Sequence, residues 1–548
     1  MRRPMTANGP RAPGVLHLAI AVIVVVAVGA IAFDARQQPP PQVLEFAPQA
    51  REQITDAPED QAATTPGNGT TSPTAPEPTP SATGSGEPPV QPSEIPRHRR
   101  CFGDPPRQTE DPQSPPCVPY WNPSQDNGGA TWQGVTPDEI RVAWPMSLEK
   151  ERDTRALERY VNLRFEFYGR TLRLIPYGPK GGVFGGMSAA DMRAMADFVN
   201  DELDAFASIA YPPKAGAEHH YYDRLAEHRI VSVDSHASQR TEAHFTQHAP
   251  YEWGYLPALD TMQRNLAEWI CNTLEGRAPS HAGPGTQDRA ERVFGLAYHV
   301  SPSGSAPERG ILVQALRQGC GIRLEPVEIT TAQQVIARFV TARVTTVICL
   351  CQGGHYFDEL MPEATRQAYL PEWIASSYHY LDFDSVGQEY PVEHAEHVFG
   401  MTFHNKWLPQ KEMPWYQAIK EADPEYETGD DGYASAAYER YYELLVLASG
   451  IQMAGPTLTP ENFQRGLYGA RFPAKGSGGP PLWHPGGGFG PGDHTMVDDA
   501  AVIWWSPTEM GYTTNVRRGT FCYLDQGRRY GLGQWPRGRQ PLFQGDCQ

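Results

Sequence analysis

The sequence lacks the short motifs on which the commonest enzyme classes depend. It contains no Gly-Lys dipeptide, so a Walker A loop that holds nucleotide phosphates cannot be built. It contains no GxSxG segment, so the nucleophile elbow of the secreted α/β hydrolases is absent. We therefore predict that the protein is not an enzyme, with no catalytic residue and no cofactor.

Histidines do not spell a metal-binding motif. Glu393–His397 reads EHAEH, which comes close to a zinc-protease motif but spells neither HExxH nor HxxEH. Five further histidines are irregularly spaced, and we interpret them as structural: His219, His220, His236, His244 and His248. The sequence therefore predicts no metal site.

Basic residues are scarce relative to acidic ones. Lys and Arg together number 46 against 64 Asp and Glu, which gives a formal net charge of −18. A protein that binds nucleic acid needs a basic face to hold the phosphates, so this balance argues against a nucleic-acid partner.

The N-terminal residues have the pattern of a membrane anchor. Met1–Gly14 carries arginines and no acid, and Leu16–Phe33 is almost wholly apolar. An apolar run of this length just crosses ~30 Å of hydrocarbon, and the basic flank places the N-terminus in the cytoplasm. We predict a signal anchor over 1–36 and a single-pass protein of the cell membrane whose large domain is extracytoplasmic. Cleavage after Ala30-Ile31-Ala32 would instead give a secreted protein, and both alternatives stay open.

Residues 37–100 differ sharply in composition from the rest of the chain. They are rich in Pro, Thr, Ser, Gly and Glu and contain hardly an aromatic side chain. Such a segment cannot bury a hydrophobic core, so we predict a disordered linker.

The eight cysteines are even in number and never stand in CxxC spacing, which fits an exported protein with disulfides. Cys349 and Cys351 lie two residues apart on one predicted strand, and we expect them not to bond each other. The predicted disulfides are Cys101–Cys117, Cys271–Cys320 and Cys522–Cys547.

From Thr136 onward, short β-runs alternate with amphipathic helices. Glu139–Trp144 reads as a strand, and Leu148–Tyr168 has apolar residues at helical spacing. Strands that alternate with helices imply parallel sheets covered on both faces. Two successive series of this kind predict an α/β fold with two doubly wound parallel-sheet lobes joined by a hinge. The predicted domains are a lead-in over 101–134, a first lobe over 135–252 plus 398–470, a second lobe over 253–392 plus 492–530, and a tail over 531–548.

The C-terminal part of the chain has its own start and stop signals. Val398–Phe403 is a strand-like run, and the helix predicted over Gly432–Ala454 ends at Gly455-Pro456. Thr459 is placed to cap a short following helix. We predict Ala501–Trp505 as the last strand before the tail.

Candidate ligand-binding residues follow from the predicted strands. In open α/β sheets, ligands lie beyond the carboxyl ends of the strands. The residues there offer hydroxyls, aromatic rings and charges, which suit a small polar solute. The opposite charges of Lys214 and Asp234 favour a zwitterionic or amide ligand ahead of a sugar. The predicted ligand-binding residues are Ser147, Tyr211, Lys214, Asp234, Ser235, Tyr298, Ser301, Gln352 and Tyr378.

Several segments are similar in order and spacing to those of a known family: GVTPDEIRV at 134–142, VFGLAY at 293–298, TTVICLC at 345–351 and LTPE at 458–461. Over Gly134–Pro536 the chain resembles the type I periplasmic solute-binding proteins, in the branch of the leucine/isoleucine/valine-binding proteins of ABC importers. The resemblance implies two lobes joined by three crossings and a cleft that closes on amino acids, amides or similar solutes. It also implies delivery of the solute to an ABC permease. A sensory or cell-envelope receptor that uses the same cleft without transport is the alternative.

Overall fold

The computed structural model describes 46–48, 100–108, 110–145, 151–179, 187–209, 218–234, 240–298, 309–351, 356–427, 434–478, 484–511, 517–538, 542 and 547. The predicted anchor over 1–36 and nearly all of the predicted linker lie outside these residues. None of the described helices combines the length and the apolar character needed to cross a membrane.

The first sheet has six strands in the order β1-β5-β4-β6-β7-β8. β1 pairs antiparallel with β5, and the other neighbours are parallel. A separate hairpin of β2 and β3 precedes β4. The bounds are β1 Phe46–Pro48, β2 Cys101–Phe102, β3 Arg107–Gln108, β4 Glu139–Pro145, β5 Thr171–Pro179, β6 Ala207–Ile209, β7 Val231–Asp234 and β8 Glu252–Gly254.

The second sheet contains eight strands, with the path β10-β9-β11-β12-β13-β14-β15 and β16 paired to β14. β9 to β13 are parallel, whereas β14, β15 and β16 run antiparallel to their neighbours. The bounds are β9 Phe294–Tyr298, β10 Glu325–Glu328, β11 Thr346–Leu350, β12 Glu372–Ala375, β13 Val398–Thr402, β14 Asp499–Met510, β15 Arg518–Tyr523 and β16 Arg529–Gly531.

Helices connect most of the parallel strands, as the alternating pattern predicts. Ser188 caps α2 and forms a capping box with Asp191, and Thr459 caps α13 as expected. The bounds are α1 Glu151–Arg164, α2 Ala189–Asp201, α3 His219–Glu227, α4 Glu242–His248, α5 Leu259–Thr273, α6 Arg309–Cys320, α7 Ala332–Ala342, α8 Tyr356–Arg366, α9 Asp384–Gly387, α10 Val392–Ala395, α11 Pro414–Ala422, α12 Ala434–Ala454 and α13 Pro460–Gly469.

The central strands of the second sheet are buried on both faces, which explains their continuous apolar runs. In β11, Ile348 and Leu350 join one hydrophobic cluster. Val347 and Cys349 point to the opposite face and join another. Because side chains alternate along a strand, a strand covered on both sides needs apolar residues at every position.

The chain passes between the two sheets three times: after β8, after β13 and before β14. The first and third passages lie side by side, because Gly254 N–H donates to His494 O at 3.0 Å and Met496 N–H donates to Gly254 O at 3.0 Å. After β13, helices α11 and α12 pack on α1, and α12 also contacts β6 and β7. The chain therefore returns to the first sheet after the second is largely built.

Two features of the second sheet differ from the sequence analysis. Residues 398–402 were assigned to the first lobe, but β13 pairs with β12 and β14 of the second sheet. Ala501–Trp505 was predicted as the last strand, yet β15 and β16 follow it as further partners of β14. β16 has only three residues, which is too short to show a pattern of alternation.

All eight cysteines are paired, with bonds Cys101–Cys117, Cys271–Cys320, Cys349–Cys351 and Cys522–Cys547. The expectation that Cys349 and Cys351 would not bond each other is wrong. Cys351 lies just beyond the end of β11, and the two Cα atoms are 5.2 Å apart. Two residues of an extended strand would be separated by about 6.6 Å. The chain has therefore lost its full extension here, and the separation falls within the range that disulfides bridge.

Peptide mapping under non-reducing conditions should return these four bonds, with Cys349 and Cys351 in one peptide that gains two mass units on reduction. This result is expected because the structure leaves no cysteine unpaired. A peptide that links Cys349 or Cys351 to any other cysteine would contradict the pairing.

Candidate ligand-binding cleft

The structure describes three of the nine predicted ligand-binding residues, and each lies at or just after the carboxyl end of a strand. Asp234 ends β7, Tyr298 ends β9, and Tyr378 follows β12 by three residues. Their contact with a ligand stays a prediction. The other six lie outside the described residues: Ser147, Tyr211, Lys214, Ser235, Ser301 and Gln352.

Asp234 forms a buried ion pair within the first lobe. Its Oδ2 accepts a hydrogen bond from Arg240 Nη2, and the two side chains are 3% and 8% exposed. The Arg240 guanidinium also lies over the Tyr222 ring, 4.2 Å from its centroid. The negative charge of Asp234 is thus balanced by the protein itself, so this carboxylate is not an isolated partner for a cationic ligand group.

The two tyrosines of the second sheet are more enclosed than typical ligand anchors. Tyr298 is 8% exposed, and the Arg309 guanidinium lies 4.2 Å from its ring centroid. Tyr378 is 1% exposed, and burial raises the pKa of its hydroxyl. Truncating Tyr378 would therefore remove core packing as well as any ligand contact.

Tyr380 joins the second sheet to a helix of the first. It follows β12 and has a φ of 64°, which is unusual for a bulky residue. Its hydroxyl donates a hydrogen bond to Glu439 Oε1 at 2.8 Å. Glu439 lies on α12, which packs on β6 and β7. Strained residues of this kind cluster at ligand clamps and switch regions, so Tyr380 is a candidate site residue that the sequence analysis missed.

A buried histidine–aspartate pair stands beside Tyr380. His404 follows β13, and its Nδ1 lies 2.8 Å from Asp382 Oδ2, with side-chain exposures of 2% and 0%. Asp382 Oδ2 also accepts hydrogen bonds from the Ser377 and Thr402 hydroxyls. Burial would raise the pKa of Asp382, but His404 and these hydroxyls outweigh burial and lower it. The carboxylate therefore stays ionised and holds the ends of β12 and β13 together.

Aromatic rings from the segment after β12 and from α12 meet around His404. The Tyr380 ring stacks on the imidazole with centroids 6.1 Å apart, and Tyr438 of α12 approaches it at 6.0 Å. Trp407 packs on Tyr438 at 4.7 Å. This aromatic group lies at the carboxyl ends of β12 and β13, where a doubly wound sheet binds its ligand.

A small pocket lies next to this group, between the lead-in, the second passage and α12. Its walls include Asp111, Gln113, Asn405, Lys406, Tyr441 and Tyr442. The hydroxyl of Tyr255, directly after β8, donates to Asn405 Oδ1 at 2.6 Å. The Tyr255 ring stacks on Tyr442 with centroids 4.4 Å apart. Residues from the first and second passages therefore meet through a hydrogen bond, and Tyr442 of α12 packs against them.

Comparison with known proteins gives structural matches alone. No family model matches the chain, and no curated protein matches it. One similar solved structure is a fatty acid ABC transporter substrate-binding protein from Thermomonospora curvata. Its sequence is 16% identical to this chain, and the TM-score is 0.47. The match covers 74% of this chain and 97% of that one.

Two further solved structures have similar statistics. A solute-binding protein from R. palustris in complex with 4-hydroxybenzoate is 10% identical with a TM-score of 0.49 and covers 70% of this chain and 97% of its own. A branched chain amino acid ABC transporter from Thermus thermophilus with bound valine is 15% identical, with a TM-score of 0.46. The match covers 74% of this chain and 97% of that one. Each of these three solved structures is named as an ABC transporter protein, and two of them as its substrate-binding or solute-binding component.

Proposed function

We propose that the folded part of the chain is an extracytoplasmic solute-binding protein that encloses a small polar molecule between its two lobes. The observation that carries the proposal is the meeting of Tyr380 and His404, at the carboxyl ends of two second-sheet strands, with Tyr438 and Glu439 of α12. Ligands of doubly wound sheets lie at this edge. A hinge that opened the two lobes would separate these groups and expose the space between them.

The ligand is an amino acid, an amide or a similar small solute. Aromatic rings and a few fixed polar groups are the surroundings that replace water around such a molecule and set its orientation. The charges of Asp234 and Asp382 are already matched by Arg240 and by His404 with its hydroxyl neighbours. A ligand of low net charge therefore suits the described residues better than a strongly charged one.

The solute is delivered to an ABC permease, and the protein is held outside the cytoplasm by the anchor over 1–36. The pairing of all eight cysteines supports an extracytoplasmic location, because disulfides persist in oxidising compartments. Transport with a permease rests on the resemblance to importer components.

A thermal-shift screen tests the binding proposal. The panel contains amino acids, amides, urea and short peptides, with valine, 4-hydroxybenzoate and fatty acids added because similar structures are named for them. A ligand present at a hundred times its Kd should stabilise the protein by about 2.7 kcal/mol. Hits are confirmed by calorimetric titration. The absence of a saturable hit in the small-solute classes would count against the proposal.

Replacing Tyr380 with phenylalanine should weaken the binding of a confirmed ligand by about tenfold, because a hydrogen bond to a charged acceptor contributes roughly 1.5 kcal/mol. The ring and its stacking on His404 are retained, so the free energy of unfolding should fall by no more than about 1.5 kcal/mol. Tyr120→Phe is the matched control, since Tyr120 is 55% exposed. Equal affinities of Tyr380→Phe and the parent would show that the contact with Glu439 does not help to hold the ligand-bound arrangement.

A further inference from the structure

Four side chains of types that can bind a metal ion converge beside the first sheet. Asp223 comes from α3, His244 and His248 from α4, and Glu252 from the start of β8. One ligand atom from each lies within 4.8 Å of the other three. The two histidines are four residues apart, so they lie on one face of α4.

The distances between these atoms are those of ligands around one ion. His244 Nε2 lies 3.0 Å from Glu252 Oε2 and 3.5 Å from Asp223 Oδ1. His248 Nε2 lies 3.8 Å from Asp223 Oδ1. Ligands bound to Zn²⁺ at 2.0–2.2 Å in tetrahedral geometry are separated by about 3.4 Å. The four atoms therefore surround a space that one such ion would fill with little movement.

Three of the four side chains carry buried atoms that form no hydrogen bond, although His244 Nε2 lies within ion-pair distance of Glu252 Oε2. The Glu252 side chain is 1% exposed, and neither of its oxygens is hydrogen bonded. Asp223 Oδ1 and His244 Nε2 are also buried without a hydrogen bond. Buried polar atoms left in this state are costly, so three side chains that carry such atoms beside one space indicate a missing partner.

The neighbouring arginine does not supply that partner. Arg240 Nη1 lies 3.6 Å from Glu252 Oε2, but it is itself buried without a hydrogen bond. Arg240 Nη2 is committed to Asp234. Glu252 is thus close to the charges of Arg240 and His244, but neither of its oxygens accepts a hydrogen bond.

His248 is oriented as a metal ligand requires. Its Nδ1 lies 3.0 Å from the backbone oxygen of His244, and a proton on Nδ1 makes that contact a hydrogen bond. The lone pair of Nε2 is then free and points at Asp223. Ligating histidines commonly use their second ring nitrogen in this way, which fixes the tautomer and the ring.

We propose that Asp223, His244, His248 and Glu252 form a binding site for a divalent transition ion of the Zn²⁺ class. Imidazole nitrogens favour zinc-like ions over Ca²⁺ and Mg²⁺, which prefer oxygen ligands. Four protein ligands fill a tetrahedral shell, so the site is structural and leaves no position for substrate. The ion joins α3, α4 and β8, the last strand before the chain first leaves the first sheet.

Zinc titration of the full chain, after dialysis against a chelator, tests the site. Calorimetry should give one Zn²⁺ per chain, and a hundredfold excess over Kd should raise Tm by about 3 °C. The double variant His244→Gln/His248→Gln should lose affinity by about a hundredfold or more, because half of the ligands are removed. Its circular dichroism and metal-free Tm are compared with those of the parent, so that misfolding is recognised.

Two single variants serve as controls. His228→Gln removes a histidine of the same lobe that contacts Asp197 instead. His220→Gln removes one member of a neighbouring group, His219, His220 and Asp223, that shares the aspartate. Both should keep stoichiometric Zn²⁺ binding. Loss of binding in His220→Gln with retention in the double variant would overturn the assignment, as would the absence of stoichiometric binding by the parent.

Cobalt gives an independent readout that does not depend on stability. Co²⁺ in the same site should show the intense visible absorption of tetrahedral coordination, and the bands should be displaced by one equivalent of Zn²⁺. In Glu252→Gln, which keeps the shape of the side chain but loses its charge, the bands should shift or vanish. Unchanged bands in that variant would exclude Glu252 as a ligand and overturn the tetrad.

Discussion

Replacement of Arg529 with methionine should lower the free energy of unfolding by about 3–5 kcal/mol, because it removes one partner of a buried ion pair. The Arg529 Nε donates to Asp499 Oδ1 at 2.7 Å, and the two side chains are 1% and 0% exposed. Its Nη1 and Nη2 donate to the backbone oxygens of His404 and Phe403 at 2.7 and 2.9 Å. One side chain of β16 thus anchors β14 and the passage after β13.

The matched control is Arg528→Met, because Arg528 is exposed and adjacent, and lies 5.4 Å from the Tyr530 ring. Its effect should stay below about 1 kcal/mol, as for an exposed cation over an aromatic ring. Urea denaturation followed by tryptophan fluorescence measures both variants. Equal effects of the two substitutions would show that the buried network does not stabilise the fold.

Asp111 should make the protein less stable as the pH rises from about 4 to about 6. Burial raises the pKa of this carboxyl from 3.8 to about 6, although Tyr441 and Tyr160 donate hydrogen bonds to it. Between these two pH values the unfolded chain has released the proton that the folded protein still holds. Ionisation thus favours unfolding, by roughly 3 kcal/mol for a shift of two units. Below pH 4 both states are protonated and the difference disappears.

Asp111→Asn should remove this dependence, because an amide does not titrate. Its stability relative to the parent should therefore improve by roughly 3 kcal/mol between pH 4 and pH 7. Asp138→Asn, at an exposed position, is the control and should follow the parent. Denaturation curves across this pH range provide the measurement. A constant difference between Asp111→Asn and the parent at all pH values would contradict the raised pKa.

Features that depend on neighbouring residues could be predicted well. The helix expected over Gly432–Ala454 is α12, which ends at Ala454, and the stop residue Gly455 has a φ of 82°. The strand expected over Leu172–Tyr177 is β5 over Thr171–Pro179. Capping, left-handed glycine and the spacing of apolar residues act within a few positions of the chain, so the sequence displays them directly.

The site could be predicted only in its location relative to the strands. Asp234, Tyr298 and Tyr378 lie at strand ends as expected, but nothing in their own segments indicated how buried they would be. Tyr380 and Glu439 are 59 positions apart, and neither belongs to a motif. The position of each depends on how α12 packs over the first sheet, which is a long-range contact.

What the sequence determined by itself is the alternation of strands and helices and the presence of two largely parallel α/β sheets, because periodicity and turn chemistry are local. The tertiary structure alone decided which polar groups meet. His244 and His248 look structural in sequence, and they gain Asp223 and Glu252 as neighbours only when α3 and β8 pack beside α4. Arg529 likewise stands in a segment without a recognisable pattern until β16 pairs with β14. Such groups form networks when they are buried, because an ionised side chain removed from water must be compensated by partners from elsewhere in the chain.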